Sequence, residues 1–117
     1  MAGPLEGVKV LEVANWVAAP SACAMLADMG ADVVKIEHPE TGDPVRSINV
    51  STRGLFPYSR GLNWAFELVN RGKGSMGINL ESPQGQDVVR KLASQCDVMV
   101  TNLTPHRQKR YGLQYED

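Results

Sequence analysis

The sequence predicts an α/β protein built on a parallel sheet, and three observations carry that prediction. Residues 8–13 (VKVLEV) and 31–36 (ADVVKI) are short, β-branched, mostly apolar runs. Runs of that kind suit strands buried on both faces of a sheet. The segment between them is helix-length, and strand–helix–strand within about thirty residues implies a right-handed parallel crossover. A third such run, Cys96 to Val100, follows a second helix marked by its own start signals. The chain has 117 residues, of which 43% are hydrophobic and 21% charged, so residues 1–117 make one small domain. Those proportions exclude a disordered, collagen-like or coiled-coil chain.

Taken in order, the first helix is expected to open at Pro20, where a missing N–H is harmless. Ala22, Met25, Leu26 and Met29 recur at i, i+3, i+4 and i+7 and predict its buried stripe. Gly30 fits the position just past its end. Residues 37–63 are irregular: Pro39, Gly42, Pro44, Gly54, Pro57 and Gly61 punctuate them and no period holds. A loop this long in a small domain is functional or covered by something else. Asn63 to Asn70 has room for one or two helical turns.

Gly72-Lys73-Gly74-Ser75-Met76-Gly77 matches G-x-G-x-x-G to the letter. The dinucleotide fingerprint needs a strand before it and a helix directly after. Here the order is reversed, with Ile78-Asn79-Leu80 as a short strand following, so a tight connection is expected. Lys73 remains a candidate to offer charge to a phosphate. Ser82 as N-cap and Pro83 after it start the next helix, with Val88, Val89, Leu92 and Ala93 as its apolar face. Cys96 to Val100 is read as a third buried strand. Thr104-Pro105 starts a last short helix carrying His106, Arg107, Lys109 and Arg110, and Gly112 stops it.

Twelve Lys+Arg against thirteen Asp+Glu leave a net charge of −1, which excludes a generally basic nucleic-acid binder. No apolar run reaches the ~20 residues of a membrane span, and residues 1–13 lack a secretory leader pattern. Cys23 and Cys96 have no CxxC spacing and read as buried thiols in a reducing, cytoplasmic setting. Asn49-Val50-Ser51 and Asn102-Leu103-Thr104 match a glycosylation sequon by chance in such a setting. His38 and His106 are too isolated to suggest a metal.

Ligands of open α/β sheets collect at the carboxyl ends of strands. Two loops stand there. Ala14 to Ala19 follows the first strand, with small Ala18 and Ala19 leaving room and Trp16 offering a flat face. Thr101 to Tyr111 follows the third strand and concentrates positive charge suited to an anion with several phosphates. Glu37 ends the second strand where NAD enzymes carry a ribose-binding acid, but the first loop lacks their glycines. No Ser/His/Asp or Cys/His pair forms a catalytic unit, and the carboxylates look scattered.

With those stretches in view, the sequence resembles the family III CoA-transferases, the formyl-CoA and carnitine CoA-transferase group. The resemblance rests on residues 4–12 (PLEGVKVLE), Ala18-Ala19-Pro20 and residues 26–37 (LADMGADVVKIE). It continues through Gly42-Asp43-Pro44-Val45-Arg46, Asn70-Arg71-Gly72-Lys73 and Asp97-Val98-Met99-Val100, with Asn102, Pro105, Arg110 and Gly112. It implies that residues 1–117 are the N-terminal part of a Rossmann-like domain with flanking helices that binds coenzyme A, in a homo-oligomer whose chains interlock as rings. Its members move CoA from an acyl-CoA to a carboxylic acid, without a metal. An aspartate attacks the thioester, giving an enzyme-bound anhydride and then an enzyme–CoA thioester.

Carried over by position, Asn15, Trp16, Val17 and Ala18 fall on the loop that runs along CoA. His38 stands where relatives often have an Arg near the adenine. Ile78 and Glu81 fall on a nucleotide-touching segment. Asn102, Leu103, Thr104, Arg110 and Tyr111 match the segment holding diphosphate and pantetheine. Three departures are visible: His38 is a weaker anchor than an Arg, His106 replaces a usual glycine, and Glu81 replaces a positive charge and is expected to repel phosphate. The family's nucleophilic Asp lies downstream of this region, so the 117-residue chain alone is expected to be inactive. A related α-methylacyl-CoA racemase, a non-catalytic truncated assembly module and an NAD-binding module are the rival readings.

Overall fold

A computed structural model describes residues 3–48 and 62–117. The elements run β1 (Lys9–Val13), α1 (Ala18–Asp28), β2 (Asp32–Glu37), a 3-10 turn (Pro44–Ser47), α2 (Trp64–Asn70), β3 (Gly74–Gly77), α3 (Pro83–Ala93), β4 (Val98–Thr101) and α4 (Pro105–Tyr111). The four strands form one all-parallel sheet in the order β3-β2-β1-β4. The expected parallel α/β architecture is therefore what the chain adopts. Strand order reverses at β1, whose neighbours are β2 on one side and β4 on the other.

Period-2 alternation divides β1 between two layers. Leu11 and Val13 join Ile36, Val89 and Leu113 in one core. Val10 joins Cys23, Ala31 and Val33 in the other, under α1. A small third cluster, Val45, Ala65 and Val69, seats the 3-10 turn on α2. Part of the irregular segment is thus ordered; Gly54, Pro57, Gly61 and the Asn49-Val50-Ser51 sequon lie outside the described residues.

Three elements differ from expectation. Helix α1 starts two residues before Pro20 and buries Pro20, Cys23 and Ala24, while Met25 is 61% exposed. Small residues let the helix approach the sheet closely, and the larger methionines are turned outward. The strand expected at Ile78–Leu80 lies instead at Gly74–Gly77, paired with β2 from Val34↔Gly74 to Glu37↔Gly77. Parallel pairing overrides the poor strand propensity of glycine there. Finally, β4 is a half-exposed edge strand rather than a buried one.

The cap chemistry holds as read. Ser82 accepts from the Gly85 N–H at 3.0 Å, and Thr104 caps α4 by accepting from the Arg107 N–H. Gly112 ends α4 at φ 61°, a left-handed conformation that favours glycine.

Candidate functional site

The loops after β1, β2 and β4 meet at the carboxyl end of the sheet, where strand order reverses. Between them and the β3–α3 connection lies a cleft of about 310 Å³. Its walls include Asn15 from the first loop, His38, Thr41 and Gly42 from the second, residues 78–81 from the third, and Leu103, Arg107 and Tyr111 from the fourth.

Beneath the cleft is a closed cluster of charge. Glu12 and Lys35 face each other across the β1–β2 ladder, and both are buried on the α1 side. Lys35 Nζ lies 2.7 Å from Glu12 Oε1 and 2.8 Å from Asp43 Oδ2, and donates to the Ala14 carbonyl at 2.9 Å. Asp43 Oδ2 has this ion pair but no well-aligned hydrogen bond. Lys73 Nζ pairs with Glu12 Oε2 at 2.6 Å and donates to the carbonyls of Pro20 and Val69 and to Asn70 Oδ1. Two acids and two bases balance, as burial requires. Burial outweighs Glu12 and brings the Lys73 pKa below the usual lysine range. Cys23 lies against the same cluster; burial, then the charge of Glu12, pushes its thiol up to about 12.

The cluster sets the shape of the first loop. Trp16 has φ 69°, a left-handed conformation that costs a bulky residue about 1–3 kcal/mol. Its N–H donates to Asp43 Oδ1 at 3.1 Å, and the same oxygen caps Val45 N at 3.0 Å. Lys35 holds the adjacent Ala14 carbonyl. The Trp16 and Val17 side chains are left half exposed at the site.

Glu37 forms a second knot. Arg46 grips it through Nε at 2.7 Å and Nη2 at 2.8 Å, with Ser75 Oγ and the Asp43 N–H as further donors. Burial alone would raise its pKa, but the bonds from Arg46, Ser75 and Asp43 prevail and hold it at about 2. A carboxylate so engaged has little left to offer a ribose.

The sequence-derived residues thus separate into groups. Asn15, His38, Ile78, Leu103 and Tyr111 line the cleft together. Trp16, Val17 and Ala18 lead from it into α1. Asn102 is taken up in structure: its side chain accepts from the Asn15 N–H at 3.1 Å and donates to the Asn15 carbonyl at 2.7 Å, tying the two loops together. Thr104 is the α4 cap. Lys73 is a correction, because its ammonium points inward, with its side chain 2% exposed and four acceptors around it. Glu81 is another: one oxygen pairs with Arg110 Nη2 at 2.5 Å and the other accepts from Tyr111 Oη at 2.8 Å, so its charge is compensated. Burial and this bond raise the Tyr111 pKa.

Sequence reasoning missed the cluster and took the carboxylates as scattered. The signal was present in the charged residues at mid-strand positions 12 and 35, inside otherwise apolar runs. Arg107 was placed on the right helix but not in the cleft. Arg107 and Tyr111 stand four residues apart on one face of α4, and Leu103 lies just before that helix. Among the described residues, no group of three His, Cys, Asp or Glu side chains is placed to hold a metal, and no helix is long and apolar enough to cross a membrane.

A parallel sheet with a cleft at its strand-order reversal, walled by loops that follow strands, defines an open α/β protein with its cleft where such sheets place ligands. The family model for CoA-transferase family III matches residues 5–117, and the chain belongs to that family. Succinyl-CoA:glutarate CoA-transferase of Mus musculus is 40% identical over 114 residues, covering 97% of this chain and 25% of the relative. (R)-2-hydroxy-4-methylpentanoate CoA-transferase of Clostridioides difficile is 39% identical over 112 residues, covering 96% of this chain and 27% of the relative. Among solved structures, a CAIB/BAIF family protein from Brucella suis superimposes with a TM-score of 0.84 at 34% identity, over 99% of this chain and 30% of that one. The chain therefore spans about a quarter of the length of the curated relatives it matches.

Proposed function

We propose that this chain is the CoA-binding portion of an acyl-CoA:carboxylate CoA-transferase. One observation carries the reading: the family match runs through every loop that walls the cleft. In this reading Asn15, Trp16, Val17 and Ala18 run along the ligand, His38 lies toward the adenine, and Ile78 and Leu103 give it apolar contact. Tyr111 borders its phosphates, and Arg110 stands beside it as the partner of Glu81. Asn102 and Thr104 shape the loop rather than touch CoA, and Lys73 does neither.

The transfer itself needs a carboxylate that can reach a thioester carbonyl. It would expel the CoA thiolate to form a mixed anhydride; the thiolate would then attack the enzyme's own carbonyl of that anhydride, giving an enzyme thioester and releasing the donor's acyl group as a carboxylate. Glu12, Asp43 and Glu37 are buried and held by cations, so none of them serves. The family's aspartate belongs to sequence beyond residue 117, and its acceptor acid would be bound there. What this chain supplies is binding and orientation, in a cytoplasmic homo-oligomer.

Calorimetric titration tests the reading. The purified chain should bind CoA, ignore NAD and leave acyl-CoA unconsumed when a dicarboxylate acceptor is added. Absence of CoA binding, or turnover by the chain alone, would overturn it. In the protein as its source makes it, CoA should appear on the acceptor acid. Deuterium appearing only at the α carbon of the acyl group would make it a racemase instead.

A further inference from the structure

The charges lining the cleft decide what it attracts. Glu37 is neutralised by Arg46, and Glu81 by Arg110 with Tyr111 as second donor. Among the described residues lining the cleft, Arg107 is the only Lys or Arg. It has no carboxylate within ion-pair distance among the described residues, and its side chain is exposed. It stands on α4 one turn before Tyr111, which lines the same wall, and Leu103 joins that wall from just ahead of the helix. The cleft is thus left with one uncompensated positive charge, on a planar group with several donors suited to phosphate.

We propose that Arg107 is the phosphate-binding residue of this cleft, and that Arg110, the matching residue by sequence, instead keeps Glu81 neutral. The inference rests on the reading of the chain as a CoA binder. Two phosphate sources fit the chemistry, the diphosphate and the 3′-phosphate of CoA. Phosphate binds without any covalent step: the guanidinium donates two N–H bonds to phosphate oxygens at the mouth of the cleft.

The test is calorimetry on the protein as its source makes it, with CoA, dephospho-CoA and pantetheine as probes. Arg107→Gln should weaken CoA about tenfold, and Arg107→Lys should recover part of that loss. Pantetheine, which has no phosphate, should bind both variants and the parent equally. If dephospho-CoA shows the same tenfold loss, Arg107 holds the diphosphate; if the loss disappears, it holds the 3′-phosphate. Equal CoA affinity in Arg107→Gln and the parent would overturn the inference and leave the CoA reading standing. A parent protein that binds no CoA would overturn both. Arg107 is exposed, so an unchanged melting temperature in each variant separates lost binding from lost fold.

Discussion

Two charge clusters lie beside the same cleft and work in opposite ways. Glu12, Lys35, Asp43 and Lys73 are sealed under it, with exposures of about 0–2%. Glu81 and Arg110 stand at its rim, half exposed to water, with the more covered Tyr111 beside them. The buried cluster cannot lose a member without stranding a charge in the interior, whereas the rim cluster exchanges protein partners for water at little cost. The difference teaches that the ion pairs fixing the shape of this site are those a ligand never meets. The rim pair adjusts only the charge that a ligand sees.

The comparison breaks most severely at its centre. Lys35→Met would leave Glu12 short of a partner and Asp43 Oδ2 with none, and should destabilise the fold by about 3–5 kcal/mol in chemical denaturation. A loss under ~1 kcal/mol would mean that water reaches the cluster and that it does not hold the first loop in shape. Acid comes next. The folded pKa of Glu37, about 2, lies below its ordinary 4.5, so its contribution is complete above pH 4.5. It is lost as pH falls from 4.5 toward 2, and the full difference amounts to roughly 3 kcal/mol. Stability measured from pH 6 to pH 2.5 should fall along that window, and Glu37→Gln should flatten the slope. At the small end, Glu81→Gln should change stability by less than about 1 kcal/mol. It should also leave Arg110 without its partner, raise the positive charge of the cleft and tighten CoA modestly in titration.

Legibility followed the same divide. The β1–α1–β2 crossover, the caps at Ser82 and Thr104 and the stop at Gly112 were readable because each is encoded by residues close in sequence. The location of the cleft was readable because it follows from strand direction alone. The inward turn of Lys73 was not, since its partner Glu12 lies 61 residues away. The strand at Gly74–Gly77 was hidden because pairing with β2, and not its own composition, makes it one. The buried face of α1 was misjudged because Met25 and Met29 fit an apolar stripe as well as Cys23 and Ala24 do. Only packing density against the sheet distinguishes them.

The strand order also gives the site a timetable during synthesis. β1 can meet β2 once the first forty or so residues are free, because their crossover is local. Its other neighbour, β4, pairs Val10 with Val98 and arrives only after nearly all of this segment has been made. The Asn15–Asn102 clasp spans 87 residues and must wait as long. One edge of the central strand therefore stays open through most of the synthesis of this segment, and the cleft is the last part of this sheet to come into being.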